Sequence, residues 1–312
     1  MKAVLLCSAA IAVVALAGVN RALVAPLHAE DRAAAVLAGV RTALGGDQKL
    51  AAVKAISAEG PFRRAMGARS LEGSVSLLLV RPDKLRRSEE LQVLGSMTER
   101  IATFDGAQAW EDTINAARVG GGSGGGFDHG AVGTGALSGQ AATDHAHAMA
   151  EYANHNHDEA AGPAGALTPE QANAVRVRRL KMDLQRWTVA LLADSNQPFT
   201  DAGRVESPDG PADVLSTLDD AGRAVRYYVD PASHLPLMVQ YQEVRPQAMP
   251  AQGGPKPTTM ALHLSDYKKV DGILLPHQID LSMDSRPTEA WTIEKYKINP
   301  SVKPDVFKKK AK

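Results

Sequence analysis

Cysteine is almost absent from this chain of 312 residues, and its one thiol, Cys7, lies close to the amino terminus. A lone cysteine excludes an internal disulfide framework, a Cys-x-x-Cys redox pair and a cysteine-rich zinc site. Aromatic residues are scarce as well, at 4%, so any interior must be filled mainly by Leu, Val, Ile and Met. There is no surplus of either charge, with 35 basic and 35 acidic residues, which removes the electrostatic footprint expected of a nucleic-acid binder. Catalytic signatures are missing too. The chain contains no Gly-x-Ser-x-Gly, His-Glu-x-x-His, phosphate loop or dinucleotide fingerprint, and its carboxylates are scattered. The expectation is a protein that is not an enzyme and that takes no cofactor.

What is present begins with "MKAVLLCSAAIAVVALAGVNRALVAPLHAE". One lysine precedes an apolar run from Ala3 to Val19 and small residues follow it, the pattern of a secretory signal peptide rather than a spanning helix. Ala17 and Ala29 are both suitable cleavage points. Ala29 is preferred because helix-like sequence starts directly after it, and a retained anchor is the alternative. Cys7 sits at the start of the apolar run, whereas a lipidated cysteine would follow it. Loss of Lys2 and Arg21 with residues 1–29 would leave 33 basic residues against 35 acidic ones in a single exported domain, 30–312. No later apolar run is long enough to span a bilayer.

Within that domain, Val36, Val40 and Leu44 form one helical stripe that Gly45-Gly46 ends. Segments 50–62, 72–91 and 96–113 each read as a strand of an antiparallel meander. Thr168, Pro169 and Gln171 make a capping box, and Leu180, Leu184, Trp187 and Leu191 recur at helical spacing behind it. Residues 213–244 read as three strands, 246–257 as a proline-rich loop, and 258–270, 273–284 and 289–299 as further strands. In "KKVDGILLPHQIDLSM" (268–283), Asp271-Gly272 marks a tight hairpin turn. Ile279, Leu281 and Met283 alternate there with Gln278, Asp280 and Ser282. Nine or ten strands, two substantial helices and no βαβ alternation give an α+β class, one large antiparallel sheet with helices on one face.

Between about 120 and 165 the composition changes. Glycines dominate first; then His145, His147, His155 and His157 fall within thirteen residues. Such a segment buries too little apolar surface to offset its ordering entropy, so it reads as a flexible insertion. The four histidines are candidate metal ligands, but tracts of this kind mostly scavenge metal weakly. No specific metal site is expected.

Six segments in order resemble the periplasmic lipoprotein-carrier superfamily, the LolA/LolB-like proteins that include outer-membrane lipoprotein-sorting proteins. They are "ALGGDQKLAAVKAISAEG" (43–60), "RPDKLR" (81–86), "FDGAQAW" (104–110), "YYVDPASHLPLMVQYQ" (227–242), "LSDYKKVDGILLPHQI" (264–279) and "YKINPSVKPDVF" (296–307). The resemblance implies a strongly curved antiparallel half β-barrel with a helical lid over its concave face, located in the periplasm. It implies acyl chains of lipids or lipoproteins as partners, with inner- or outer-membrane proteins as further candidates. It also implies that Arg81, before the proline, anchors the lid. On this reading Leu262, Leu264, Ile279, Leu281 and Met283 line the lipid cavity, and the 169–192 helix is the lid. Pro82, Pro236 and Pro276 would break the strands where the sheet bends. The protein would be a monomer that binds no nucleic acid. The alternative is a non-transporting envelope scaffold or interaction protein on the same fold.

Overall fold

The computed structural model describes residues 29–67, 69–93, 96–116, 168–207, 210–244 and 257–309. Expectations for the leader and for the histidine-rich insertion fall outside these residues. Two helices, α1 (Ala29–Leu44) and α2 (Asp47–Ala52), open the described chain, and five strands follow: β1 (Ala55–Met66), β2 (Arg69–Val80), β3 (Lys84–Val93), β4 (Ser96–Phe104) and β5 (Ala109–Ala116). The long helix α3 (Pro169–Leu192) comes next. It precedes β6 (Thr200–Ser207), β7 (Gly210–Leu218), β8 (Ala224–Val229), β9 (Pro236–Val244), β10 (Pro257–Val270), β11 (Ile273–Met283), β12 (Arg286–Thr292) and β13 (Lys295–Ile298). A 3-10 turn, Pro304–Phe307, follows β13.

All thirteen strands belong to one antiparallel sheet ordered β5-β4-β3-β2-β1-β12-β11-β10-β9-β8-β7-β6, with β13 continuing β12's place beside β1. Two meanders, β1–β5 and β6–β12, are thus joined where β1 pairs β12 at Phe62–Trp291 and Arg64–Glu289. More strands form than the sequence reading anticipated. Segments 72–91 and 96–113 are each two strands, because Pro82 and the Asp105-Gly106 turn reverse the chain within them. Asp105 closes its turn by accepting from the backbone N–H groups of Ala107 and Gln108. Segment 289–299 is likewise split, at Ile293-Glu294, and β6 was not anticipated at all.

Local chemistry explains the elements that were anticipated. Thr168 and Gln171 close a reciprocal capping box at the start of α3. Asp271 and Gly272 both have positive φ, 49° and 85°, which is the type I′ geometry that matches strand twist. At the end of α1, Gly45 has φ 139°, and a Cβ there would stand 2.6 Å from the Gly272 carbonyl oxygen, so only glycine lets the helix end press on the β10–β11 turn. Pro276 lies inside β11 opposite Tyr267, and the adjoining residue of β10, Asp266, takes positive φ and drops out of the ladder. Tyrosine hydroxyls then satisfy the carbonyls of two prolines: Tyr296 donates to Pro276 at 2.7 Å and Tyr267 to Pro236 at 2.8 Å.

Helix α3 connects one sheet edge, β5, to the other, β6, and it packs against β3, β4 and β5 as well as β8 and β9. Arg87 of β3 and Glu243 of β9 both act electrostatically on one helix residue, Asp183. In a flat sheet those strands would be six spacings, roughly 29 Å, apart. A helix with its side chains is only about 10–12 Å across. The sheet must therefore bend around α3. A single apolar core results, in which Ala33, Val40 and Leu44 of α1 and the buried face of α3 meet the inward residues of the sheet.

Candidate functional site

Strand registers define the inner face of the sheet residue by residue. On the β9–β12 side, Leu262 stands opposite Leu281 and Leu264 opposite Ile279, while Met260 stands opposite Met283. Val239 flanks Leu262 on β9, and Trp291 flanks Ile279 on β12. The five residues expected to line a lipid cavity are therefore cross-strand neighbours. Leu262, Leu264, Ile279 and Leu281 are buried in the core, and Met283 is partly buried against it.

Leu180, Leu184, Trp187 and Leu191 of α3 are all buried in the same core. Trp187 stacks on Trp291, with ring centroids 5.1 Å apart and planes 25° apart. The interior that a guest would need is thus occupied by the helix itself.

Polar contacts fix both flanks of α3. Toward β5, Arg179 pairs with Glu111. Toward the other meander, Lys181 reaches Asp220 at 2.7 Å and Gln185 donates to the Leu218 carbonyl at 3.0 Å. At its carboxyl end, Ala193 caps the helix in the left-handed region and Asp194 follows. Asp194 pairs with Arg81, which also donates to the carbonyls of Val53 (3.3 Å) and Leu50 (3.5 Å) at the end of α2. Arg81 therefore ties the ends of two helices to the β2–β3 turn.

A cavity of about 310 Å³ opens beside α3. Leu85, Leu180, Trp187, Met260 and Leu281 give it an apolar part, but charged side chains dominate the remainder. This differs from the aliphatic lining that the sequence led us to expect. Arg64 on β1 is only 4% exposed; its Nε donates to Glu289 at 2.9 Å and its Nη2 to Glu89 at 2.7 Å. Arg87 pairs with Glu89 and lies over the Trp291 ring. Burial pushes the Glu89 carboxyl up, but Arg87 and Arg64 beside it outweigh that and hold it down at about 2. Across the cavity, Asp183 and Glu243 both accept from one nitrogen, Arg186 Nη1, at 3.1 and 2.9 Å. Arg186 is itself buried, with its guanidinium 3.7 Å from the Tyr241 ring centroid. Burial and the neighbouring Glu243 raise the Asp183 pKa above the usual carboxylate value despite Arg186.

Sequence reading missed this charged half of the interior. A signal for it does exist in β3: Leu85, Arg87, Glu89 and Leu91 share one face, so an ion pair is set between two leucines that are themselves buried. The candidate metal ligands His145, His147, His155 and His157 lie outside the described residues. Among the described residues no group of three His, Cys, Asp or Glu side chains is placed to hold a metal ion, and no helix is long and apolar enough to cross a membrane.

No protein-family model matches the chain, and no curated protein does. Solved structures similar to it include a LolA superfamily protein from Nitrosomonas europaea, at 10% identity and a TM-score of 0.45, covering 89% of this chain and 97% of that one. A putative outer membrane lipoprotein-sorting protein domain from Vibrio parahaemolyticus is similar at 8% identity and a TM-score of 0.41, covering 89% and 97%. A DUF1329 family protein from Desulfovibrio piger is similar at 10% identity and a TM-score of 0.42, covering 88% and 97%.

Proposed function

We propose that this protein is an exported, periplasmic binding or carrier protein that shelters acyl chains of lipids or lipoproteins where α3 now packs. The observation that carries this reading is the apolar face of α3 inside a sheet that bends around it, with polar ties at the helix flanks and end. Energetics make an exchange reasonable. Burying four large apolar side chains is worth roughly 6–12 kcal/mol at about 1.5–3 kcal/mol each, an upper bound because the unfolded chain is itself partly compact. A chain of ~14 carbons would gain roughly 10 kcal/mol at about 0.8 kcal/mol per methylene. Cover and cargo are therefore of similar strength, which is what reversible loading needs. On this reading α3 is the lid, Arg81 its anchor, and Leu262, Leu264, Ile279, Leu281 and Met283 contact the chain.

The stacked pair Trp187–Trp291 supplies the test. In a Trp110→Phe background, a fatty acid brominated along its chain should quench the emission of the remaining two tryptophans saturably. No quenching, together with no displaceable binding of an environment-sensitive dye, would refute the carrier reading. One observation favours the scaffold alternative: the open cavity is mostly charged while the apolar interior is already filled. A solid interior that admits neither dye nor fatty acid is the result that reading expects.

A further inference from the structure

Three tyrosines packed in the core use their hydroxyls differently. Tyr296 and Tyr267 donate to the carbonyls of Pro276 and Pro236. Tyr227 of β8 is wholly buried, at 0% exposure, and its hydroxyl has no hydrogen-bond partner among the described residues. A buried hydroxyl without an acceptor bears an uncompensated desolvation cost, which a ligand bringing an acceptor would remove. Burial is what raises the Tyr227 pKa, with no charged side chain contributing. Position links this phenol to the residues proposed to contact the acyl chain. Tyr227 stands opposite Val239, Val239 opposite Leu262 and Leu262 opposite Leu281, one cross-strand row of buried side chains. Two strand spacings, roughly 10 Å, separate Tyr227 from Leu262. Helix α3 packs on β8, and Phe199, in the connection from α3 to β6, lies against the Tyr227 ring with centroids 6.0 Å apart. The segment whose departure would admit cargo therefore covers Tyr227 as well.

We infer that Tyr227 binds the uncharged carbonyl of an acyl group, its hydroxyl donating to the carbonyl oxygen of an ester or amide. This rests on the acyl-carrier reading and gives its cargo a class: esterified or amide-linked acyl chains over free fatty acids. An ester or amide oxygen supplies the missing acceptor and brings no charge into the core. A carboxylate would bring one, and no cation acts on Tyr227 to balance it. The aliphatic row from Val239 to Leu281 then takes the chain that leads away from the carbonyl.

The experiment titrates the full protein and its Tyr227→Phe variant with two quenchers, the brominated fatty acid, ionised at mildly alkaline pH, and its methyl ester. Loss of the phenol should weaken the ester by about five- to tenfold and leave the ionised acid unchanged. Infrared spectroscopy supplies a readout that needs no variant. An isotopically labelled ester carbonyl should absorb at lower wavenumber when bound to the wild-type protein than when dissolved in hexane, and Tyr227→Phe should abolish that shift. Equal ester affinity in the two proteins, an equal loss for ester and acid, or a bound carbonyl band at its hexane position overturns the inference and leaves the carrier reading intact. If neither ester nor acid quenches, the carrier reading fails and the inference with it.

Discussion

Replacing Arg81 with leucine should loosen α3 without unfolding the protein, and the structure sets the size of the effect. Arg81 and Asp194 are each 30% exposed, so their ion pair is screened and is worth at most about 1 kcal/mol. The bond to Val53, at 3.3 Å, adds about 0.5–1 kcal/mol, and the 3.5 Å contact with Leu50 is too long to add much. The sum is about 1–2 kcal/mol, a factor of roughly 5–30 in an equilibrium between seated and released helix. If release precedes loading, apparent affinity rises with the released fraction. Arg81→Leu should then bind the brominated fatty acid up to roughly 5–30-fold more tightly while the melting temperature falls by a few degrees. Asp194→Ala should reproduce part of the gain, and the double variant should show less than the sum because both substitutions break one pair. A lower melting temperature with unchanged fatty-acid affinity would refute the argument, reducing Arg81 to a structural tie.

Glu89→Gln removes the carboxylate that neutralises two buried or half-buried arginines, and it should cost about 3–5 kcal/mol in urea denaturation. Because the folded state holds Glu89 at about 2, well below its ordinary value near 4.5, its stabilisation is present above pH ~4.5 and is lost as pH falls toward 2, by about 3 kcal/mol in total; a flat stability profile across that window would contradict the ion-pair assignment. Gly60→Ala would place a Cβ 2.0 Å from the Thr292 carbonyl oxygen, where β12 gives way to β13 beside β1. It should destabilise the fold by about 3 kcal/mol or more, read as a lowered denaturation midpoint. Thr168→Ala opens the capping box of α3 and should cost about 1 kcal/mol.

How legible this protein was in its sequence depended on whether a feature is local. The capping box at Thr168 and the Asp271-Gly272 turn are set by neighbouring residues and form as read; the alternation holds through Ile279 and Leu281 but fails at Ser282, which is buried while Met283 is half-buried, beside an irregularity in the β11–β12 ladder. Strand ends were harder. Pro82 and Asp105-Gly106 are ordinary chain-reversal signals, but they sit inside segments whose apolar content reads as continuous strand. β6 was missed because its residues are mostly exposed, so it lacks the apolar alternation that marks a half-buried strand. The charged cavity was least visible. Arg64, Arg87, Glu89, Glu289, Asp183 and Glu243 come from five different elements, and only the bend of the sheet around α3 brings them together. Arg81 was singled out through a family resemblance. Its geometry then supplied acceptors that no spacing rule contains, namely the carbonyls at the end of α2 and the carboxylate just past α3.

The claim on which the account turns is that α3 must leave the sheet for cargo to enter. Arg179 on α3 and Glu111 on β5 touch and are both partly exposed. The chain from Glu30 onward has no native cysteine. Arg179→Cys and Glu111→Cys joined by a short bismaleimide would therefore tether the helix to the edge strand at one defined place. Stopped-flow quenching by the brominated fatty acid, measured on the tethered protein and on the same double variant left unjoined, reads the gate directly. The account predicts that the unjoined variant loads and the tethered one, with an unchanged circular dichroism spectrum, does not. Equal loading rates and amplitudes in the two would contradict it.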